Sequence, residues 1–254
     1  MLHFSYTLQD IINAFSFDNP HIVGMLIAFA IANTIGLLEY FWAVALNIKE
    51  HRTPFPAWMH TFFFGHDSTA AVVLLGLAFK THFWLFFVYG GGMLVWTILE
   101  IINMRTVILY EAEEAFGPGA TKKDATIQLV LQALAMLAFV NIMRWLMGDV
   151  AMFSWLPMTN FVMAVGPGYI LNKRQNRHGS SVFVYIMIVI GTIFNFMPAP
   201  IGMFTSALPQ VYNQPIWFII GIPCLIIACY NLYRILKLPP KTKDMGNYKN
   251  KPIW

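Results

Sequence analysis

Charge is what this sequence has least of. Aspartate, glutamate, lysine and arginine make up 11% of its 254 residues, against about 25% in an ordinary soluble domain. A surface that thin in charge excludes a soluble globular enzyme and a disordered chain. Cysteine is scarcer still. Cys224 and Cys229 stand five apart in one apolar stretch, about 140° around a helix, so they fall on different faces. That excludes a disulfide scaffold and leaves two small apolar residues. The seven histidines are spread along the chain, which argues against a membrane di-iron hydroxylase. There is no phosphate loop, CxxC pair or GxSxG elbow. The last apolar run has a lysine only at its end, Lys237, so a retinal Schiff base is disfavoured. The net charge of +4 and pI near 9.0 do not point to nucleic acid, because in a membrane protein cations collect in loops on one side.

What the sequence has in abundance is apolar length. Hydrophobic residues are 58% of the chain and the mean hydropathy is +0.60. A spanning helix needs about 20 mostly apolar residues. Seven runs qualify, near 22–46, 57–79, 82–104, 125–147, 151–172, 181–203 and 215–236. They are long and continuous, unlike the short alternating strands of a membrane β-barrel. The expected fold is all-α, a seven-helix transmembrane bundle forming a single domain over 1–254. Residues 1–20 lack a basic start and a small-x-small cleavage site, and do not read as a signal peptide. Phe4, Leu8, Ile11, Ile12 and Phe15 predict instead a short amphipathic helix on the membrane surface. Residues 237–254 read as a basic cytoplasmic tail.

Fourteen of the sixteen lysines and arginines fall on one side of such a bundle. They run from Lys49 and Arg52 through Arg105, Lys122, Lys123, Lys173, Arg174 and Arg177 to the tail. Lys80 and Arg144 fall on the other. By the positive-inside rule the N-terminus is outside and the C-terminus cytoplasmic. Glu111, Glu113 and Glu114 read as a solvated extension of span three, ended by Gly117-Pro118-Gly119. Pro157 and Pro167 interrupt span five, and Met197-Pro198-Ala199-Pro200 closes span six.

The informative residues are carboxyls inside the spans, costly in hydrocarbon and functional by default. Asp67 lies about ten residues into span two, roughly 15 Å deep, beside His60, Phe63 and His66. A buried acid kept neutral is a proton donor. Glu100 shares a stripe with Trp96 and Asn103 at i, i+4, i+7 spacing. Glu39 lies next to the small-residue ridge Ala28, Ala32, Gly36. Asp67, Glu100 and Glu39 are therefore the candidate catalytic acids. His60, His66, Phe63, Trp96, Asn103, Trp42 and Asn195 are candidates for the substrate wall. Asn160 on span five is a further candidate to line an interior, with helix packing as its plainer reading. Gln128 and Gln132 fit helix packing, and Arg144 is placed to pair with Asp149. Interhelical hydrogen bonding is the competing reading of every one of these acids.

The first 115 residues also carry a resemblance. Asn47-Ile48-Lys49-Glu50-His51-Arg52-Thr53 follows an apolar helix and leads into an aromatic second helix with His66-Asp67. Trp96-Thr97-Ile98-Leu99-Glu100 and Tyr110 come next. The layout resembles the integral-membrane terpene cyclases of fungal meroterpenoid pathways, the paspaline and pyripyropene type. The resemblance implies seven helices, no cofactor, and an acid on the second helix that protonates an epoxide, here Asp67. The family's second acid falls near Ile226, where this chain has no carboxyl. Glu100 or Glu39 would have to substitute.

Three readings follow. The first is an intramembrane enzyme, without metal or cofactor, acting on a lipophilic isoprenoid epoxide or alkene. Aromatic rings would stabilise the cation by about 2 kcal/mol when desolvated. The second is a small proton-coupled or lipid transporter. The third is a non-enzymatic membrane partner protein. The expected partners are a lipophilic small molecule and membrane lipid, with no nucleic acid.

Overall fold

The computed structural model describes residues 6–241. Every regular element among them is helical. In chain order these are α1 (Leu8–Ala14), α2 (Ile22–Glu50), α3 (Ala57–Thr81), α4 (Trp84–Tyr110), α5 (Ala112–Phe116), α6 (Lys122–Leu146), a 3₁₀ turn (Leu156–Met158), α7 (Thr159–Arg174), α8 (Val182–Phe196), α9 (Met203–Ala207), α10 (Pro209–Tyr212) and α11 (Pro215–Lys237). Among the described residues five helices, α2, α3, α4, α6 and α11, are long and apolar enough to cross a membrane. The fifth and sixth runs give shorter helices. Residues 151–158 form turns and the 3₁₀ segment, so α7 starts only at Thr159. Proline has no N–H to continue a helix and biases the residue before it toward extended backbone. Pro198 follows extended Met197 directly after Phe196, and α8 ends there.

The long hairpin α3–α4 is the centre of the bundle. Helix α6 flanks α3, α2 lies between α4 and α8, and α11 covers α7 and α8. Gly65 lets α3 approach α6 so closely that a Cβ would stand 2.9 Å from the backbone of Met136 and Leu137. Pro167 lies inside α7, and α11 and α8 supply bonds around it. Asn231 Nδ2 donates to the Ala164 carbonyl at 2.8 Å, and the Tyr185 hydroxyl donates to the Pro167 carbonyl at 3.1 Å. Cys224 and Cys229 are both free thiols.

The amphipathic N-terminal helix forms, but it is folded into the bundle rather than lying free on a surface. Ile11 and Phe15 are buried, and Phe15 meets Phe29 and Phe153 edge-on. Thr7 caps α1 through a capping box with Asp10. Tyr6 anchors the segment by donating to the Asp149 carboxylate. That carboxylate also accepts the Ser154 and Trp155 amides at 3.1 and 3.0 Å. Arg144 bonds the Asp149 carbonyl rather than its carboxylate, on which its charge acts from further away.

At the opposite end Glu113 of the acidic run is exposed, as expected, and Glu114 is half-buried, but the first acid departs from the reading. Glu111 is buried, not solvated. It accepts from Arg174 Nη2 at 2.6 Å and from the amide and hydroxyl of Thr53, both at 3.0 Å. Arg174 Nε donates to Glu114 at 2.7 Å and Nη1 to the Thr53 carbonyl at 2.6 Å. Arg52 pairs with Glu114 as well. Lys241 is also buried and donates to Glu50 at 2.6 Å, while Glu50 accepts the Gly179 amide at 2.8 Å. The start of the basic tail thus folds back onto the bundle. Lys243, Lys249 and Lys251, like Phe4, lie outside the described residues. Sequence showed these acids and cations, but their partners are 58 to 191 positions apart.

His178 sits half-buried in this ionic end. Desolvation, reinforced by Arg52, Arg174 and Lys241 against the opposing pull of Glu50, pushes its pKa down from 6.5 to about 4. The folded state therefore holds it neutral, whereas the unfolded chain takes up a proton below about pH 6.5. Its contribution to stability is complete above that pH and is lost as pH falls toward 4. The thermal midpoint of the wild type is expected to fall over this window more steeply than that of His178→Asn. Parallel slopes would refute this.

Candidate functional site

The small residues of α2 open a space inside the bundle. Ala32 and Gly36 carry too little side chain to fill the gap between α2 and α4, and Trp96 fills only part of it. Its ring lies 3.2 Å from the place where a Cβ on Gly36 would stand. The rest is a cavity of about 140 Å³, walled by α2, α3, α4, α7, α8 and α9. One wall is aromatic. Tyr40 meets Phe63 and Trp96 edge-on, and Tyr89 stands above them. Met93, Met163 and Met203 line it elsewhere, and methionine repacks easily around irregular shapes.

Six of the residues expected from sequence to act on a substrate line this cavity: Asp67, Glu39, His66, Phe63, Trp96 and Asn195. Asn160, the interior candidate of the fifth run, joins them from α7. Asp67 is buried, and its Oδ1 lies 2.7 Å from His66 Nδ1. The ring of His66 is fixed between Phe62 and Trp155, at 6.4 and 6.3 Å between centroids. Its Nε2 has no protein partner among the described residues. Glu39 faces the cavity from α2, across from Asp67's helix.

The other expected residues are elsewhere. Glu100, His60 and Asn103 do not line the cavity. They form a wholly buried layer between it and the 51–56 loop. His60 Nδ1 lies 2.6 Å from Glu100 Oε2, Asn103 Nδ2 donates to the same oxygen at 3.2 Å, and the Asn47 amide lies 2.5 Å from that of Asn103. This second histidine–carboxyl pair joins α3 to α4, and Asn47 ties in α2. Trp42 also lies outside the cavity. It is one turn past the cavity face of α2, donates to Ser181 Oγ at 3.0 Å and stacks obliquely on Phe183 at 4.5 Å.

Sequence reasoning missed Tyr40, Tyr89, Asn33 and Thr159. Two of them had a signal. Tyr40 extends the Ala28, Ala32, Gly36 ridge by one more turn. Tyr89, Met93 and Trp96 run at i, i+4, i+7 and continue the Trp96 stripe along α4. Thr159 had none, because α7 begins eight residues later than its apolar run suggests. Among the described residues no three His, Cys, Asp or Glu side chains gather closely enough to hold a metal ion.

Comparison with protein-family models, curated proteins and solved structures finds no match. The chain's class rests on its own features: a helical protein with, among the described residues, five membrane-length apolar helices and a ring-lined cavity bordered by two carboxyls.

Proposed function

We propose that this protein is an integral-membrane enzyme that protonates a lipophilic, isoprenoid-like substrate at Asp67 and lets it cyclise. The observation that carries this reading is the His66–Asp67 pair in the wall of an aromatic cavity. In this mechanism the Asp67 Oδ2 proton goes to an epoxide oxygen or an alkene carbon. For an epoxide, a C–O bond opens and leaves a tertiary cation. The π electrons of a nearby double bond then close a C–C bond. The Asp67 carboxylate, held at Oδ1 by the His66 Nδ1–H, takes back the proton lost from the product. The net change is an isomerisation. The rings of Phe63, Tyr40, Tyr89 and Trp96 face the travelling charge, and each such contact is worth about 2 kcal/mol when desolvated.

The cavity resembles in size the roughly 150 Å³ apolar cavity that accommodates benzene. That suits the reacting ring of a substrate, with the methionines giving way to more. The reading also continues the likeness to the meroterpenoid terpene cyclases. Ile226, where that family's second acid would fall, is 62% exposed, so a carboxyl there would miss the cavity. Glu39 is the second acid that reaches it. In this proposal α7 and α8 also cross, giving seven crossings with the N-terminus outside and the C-terminus cytoplasmic. Support comes from the cations Lys49, Arg52, Lys122, Lys173, Arg174, Arg177 and Lys237, all near the helix ends that the Arg174 network joins.

The test is turnover. Protein in nanodiscs is given epoxidised prenyl chains, and mass spectrometry is expected to find a cyclised product of unchanged mass. Recovery of starting material alone, together with pH-dependent uptake into proteoliposomes, would replace the enzyme by a transporter. His66→Ala is expected to lower kcat roughly ten- to a hundredfold at little cost in KM. That follows from the ~1.5–3 kcal/mol of a hydrogen bond to a charged group. An unchanged kcat would remove His66 from the mechanism.

A further inference from the structure

Two polar groups border the cavity without a protein partner. Asn195 on α8 is 5% exposed, and its Nδ2 makes no hydrogen bond among the described residues. Glu39 on α2 is equally buried and likewise has no hydrogen-bond or ion-pair partner there. The two are neighbours. Glu39 Oε1 lies 3.5 Å from the point where a Cβ on Gly191 would stand. Asn195 is one turn further along the same face of α8, a rise of about 6 Å. Gly191, Glu39 and Asn195 all line the cavity.

Buried polar groups in folded proteins are almost always hydrogen-bonded to something. An amide donor and a carboxyl left open side by side, opposite a wall of rings, mark the seat of a ligand's polar group. We propose that this wall binds a hydroxyl carried by the lipophilic substrate. Its oxygen accepts from Asn195 Nδ2, and its O–H donates to Glu39. The chemistry selects among alternatives. An ammonium donates only and leaves Asn195 unanswered. A phosphate or carboxylate would set two anions together with no lysine or arginine in the lining. An ether or ketone accepts only, and so serves Glu39 just when it is protonated. A hydroxyl both donates and accepts, and so answers the Glu39 carboxylate and the Asn195 amide together. The substrate is then an oxygenated amphiphile, anchored at α8 while its reacting carbon faces Asp67 on α3. The inference rests on the proposed function for the lipophilic character of the ligand, not for the proton transfer.

The test is binding without turnover. Wild-type protein in nanodiscs is titrated with cyclohexylmethanol, its isomer methoxycyclohexane, and methylcyclohexane, each corrected for partition into the bilayer. The readout is the fluorescence difference between wild type and Trp96→Phe. The alcohol is expected to bind about tenfold more tightly than the ether, the change that one buried hydrogen bond produces. Glu39→Leu is expected to remove most of that preference, and Asn195→Leu to weaken alcohol and ether alike relative to methylcyclohexane. Equal binding of alcohol and ether by the wild type overturns the proposal, and that comparison needs no variant to fold. A full preference surviving in a folded Glu39→Leu protein overturns it too, as does an Asn195→Leu protein that binds alcohol and ether as tightly as the wild type. Alcohol preference alongside normal turnover by Asp67→Asn would refute the proposed function alone. Turnover that depends on Asp67 without alcohol preference would refute this inference alone.

Discussion

Asp67→Asn is expected to reduce cyclisation by about 10²- to 10⁴-fold, the range that a positioned general acid supplies, while leaving the protein folded. The two side chains have the same shape. The amide oxygen of the variant still accepts from His66 Nδ1, so the 2.7 Å contact and the fit against Phe62 and Trp155 survive. What disappears is the transferable proton. The measurement is single-turnover product formation beside a thermal unfolding curve. Asp67→Glu keeps the proton but lengthens the arm by one methylene in a cavity of about 140 Å³, and is expected to recover part of the rate. Turnover near the wild-type level in Asp67→Asn would eliminate the acid role. A collapse in stability would instead make Asp67 an interhelical tie.

Arg174→Gln is expected to lower the unfolding free energy by about 3–5 kcal/mol, the penalty for breaking a buried ion pair from one side. The reason is geometric. Arg174 is 6% and Glu111 4% exposed at their side chains, so loss of the guanidinium leaves a carboxylate facing only the Thr53 amide and hydroxyl. Three nitrogens of Arg174 serve four acceptors: the Thr53 and His178 carbonyls and the carboxylates of Glu111 and Glu114. Arg174→Lys supplies a single ammonium where a planar fork is needed, and is expected to restore only part of the loss. Arg52→Gln removes a contact that is 31% exposed on the arginine side and is expected to cost much less. Denaturation in mixed micelles separates the three. Equal midpoints for Arg174→Gln and wild type would show the pair to be energetically neutral.

The long helices were legible because each is one continuous apolar run, and burial of the backbone in hydrocarbon leaves little choice but a helix. The start of α7 was not legible, whereas Met197-Pro198-Ala199-Pro200 did mark the end of α8. An apolar run shows what tolerates lipid, whereas Pro157 and Pro198 decide where the hydrogen-bond ladder begins and stops. Asp67 and Glu39 were legible for a related reason, since a carboxyl among Phe, Leu and Ala stands out and must face inward. Their company was not. Glu100 resembled a cavity residue because it shares a stripe with Trp96. Whether that stripe faces space or His60 depends on how α3 and α4 are rotated against each other, and no spacing within α4 records that. Trp42 failed similarly, one turn beyond the face that Gly36 leaves open. The Tyr6–Asp149 clasp and the burial of Glu111 were the least accessible, because loop partners so distant in sequence leave no periodic trace.

That distance has a consequence for biogenesis. Glu50 ends the first long helix, yet its cation is Lys241, 191 positions later. Arg174 reaches back 121 positions to Thr53. A chain made from its N-terminus holds every member of the Arg174 network once α7 and His178 just after it are in place, whereas the Lys241 contact to Glu50 waits for α11. Chains stalled or truncated before that point keep their apolar helices but lack the Lys241 contact that ties the end of α11 back to the end of α2.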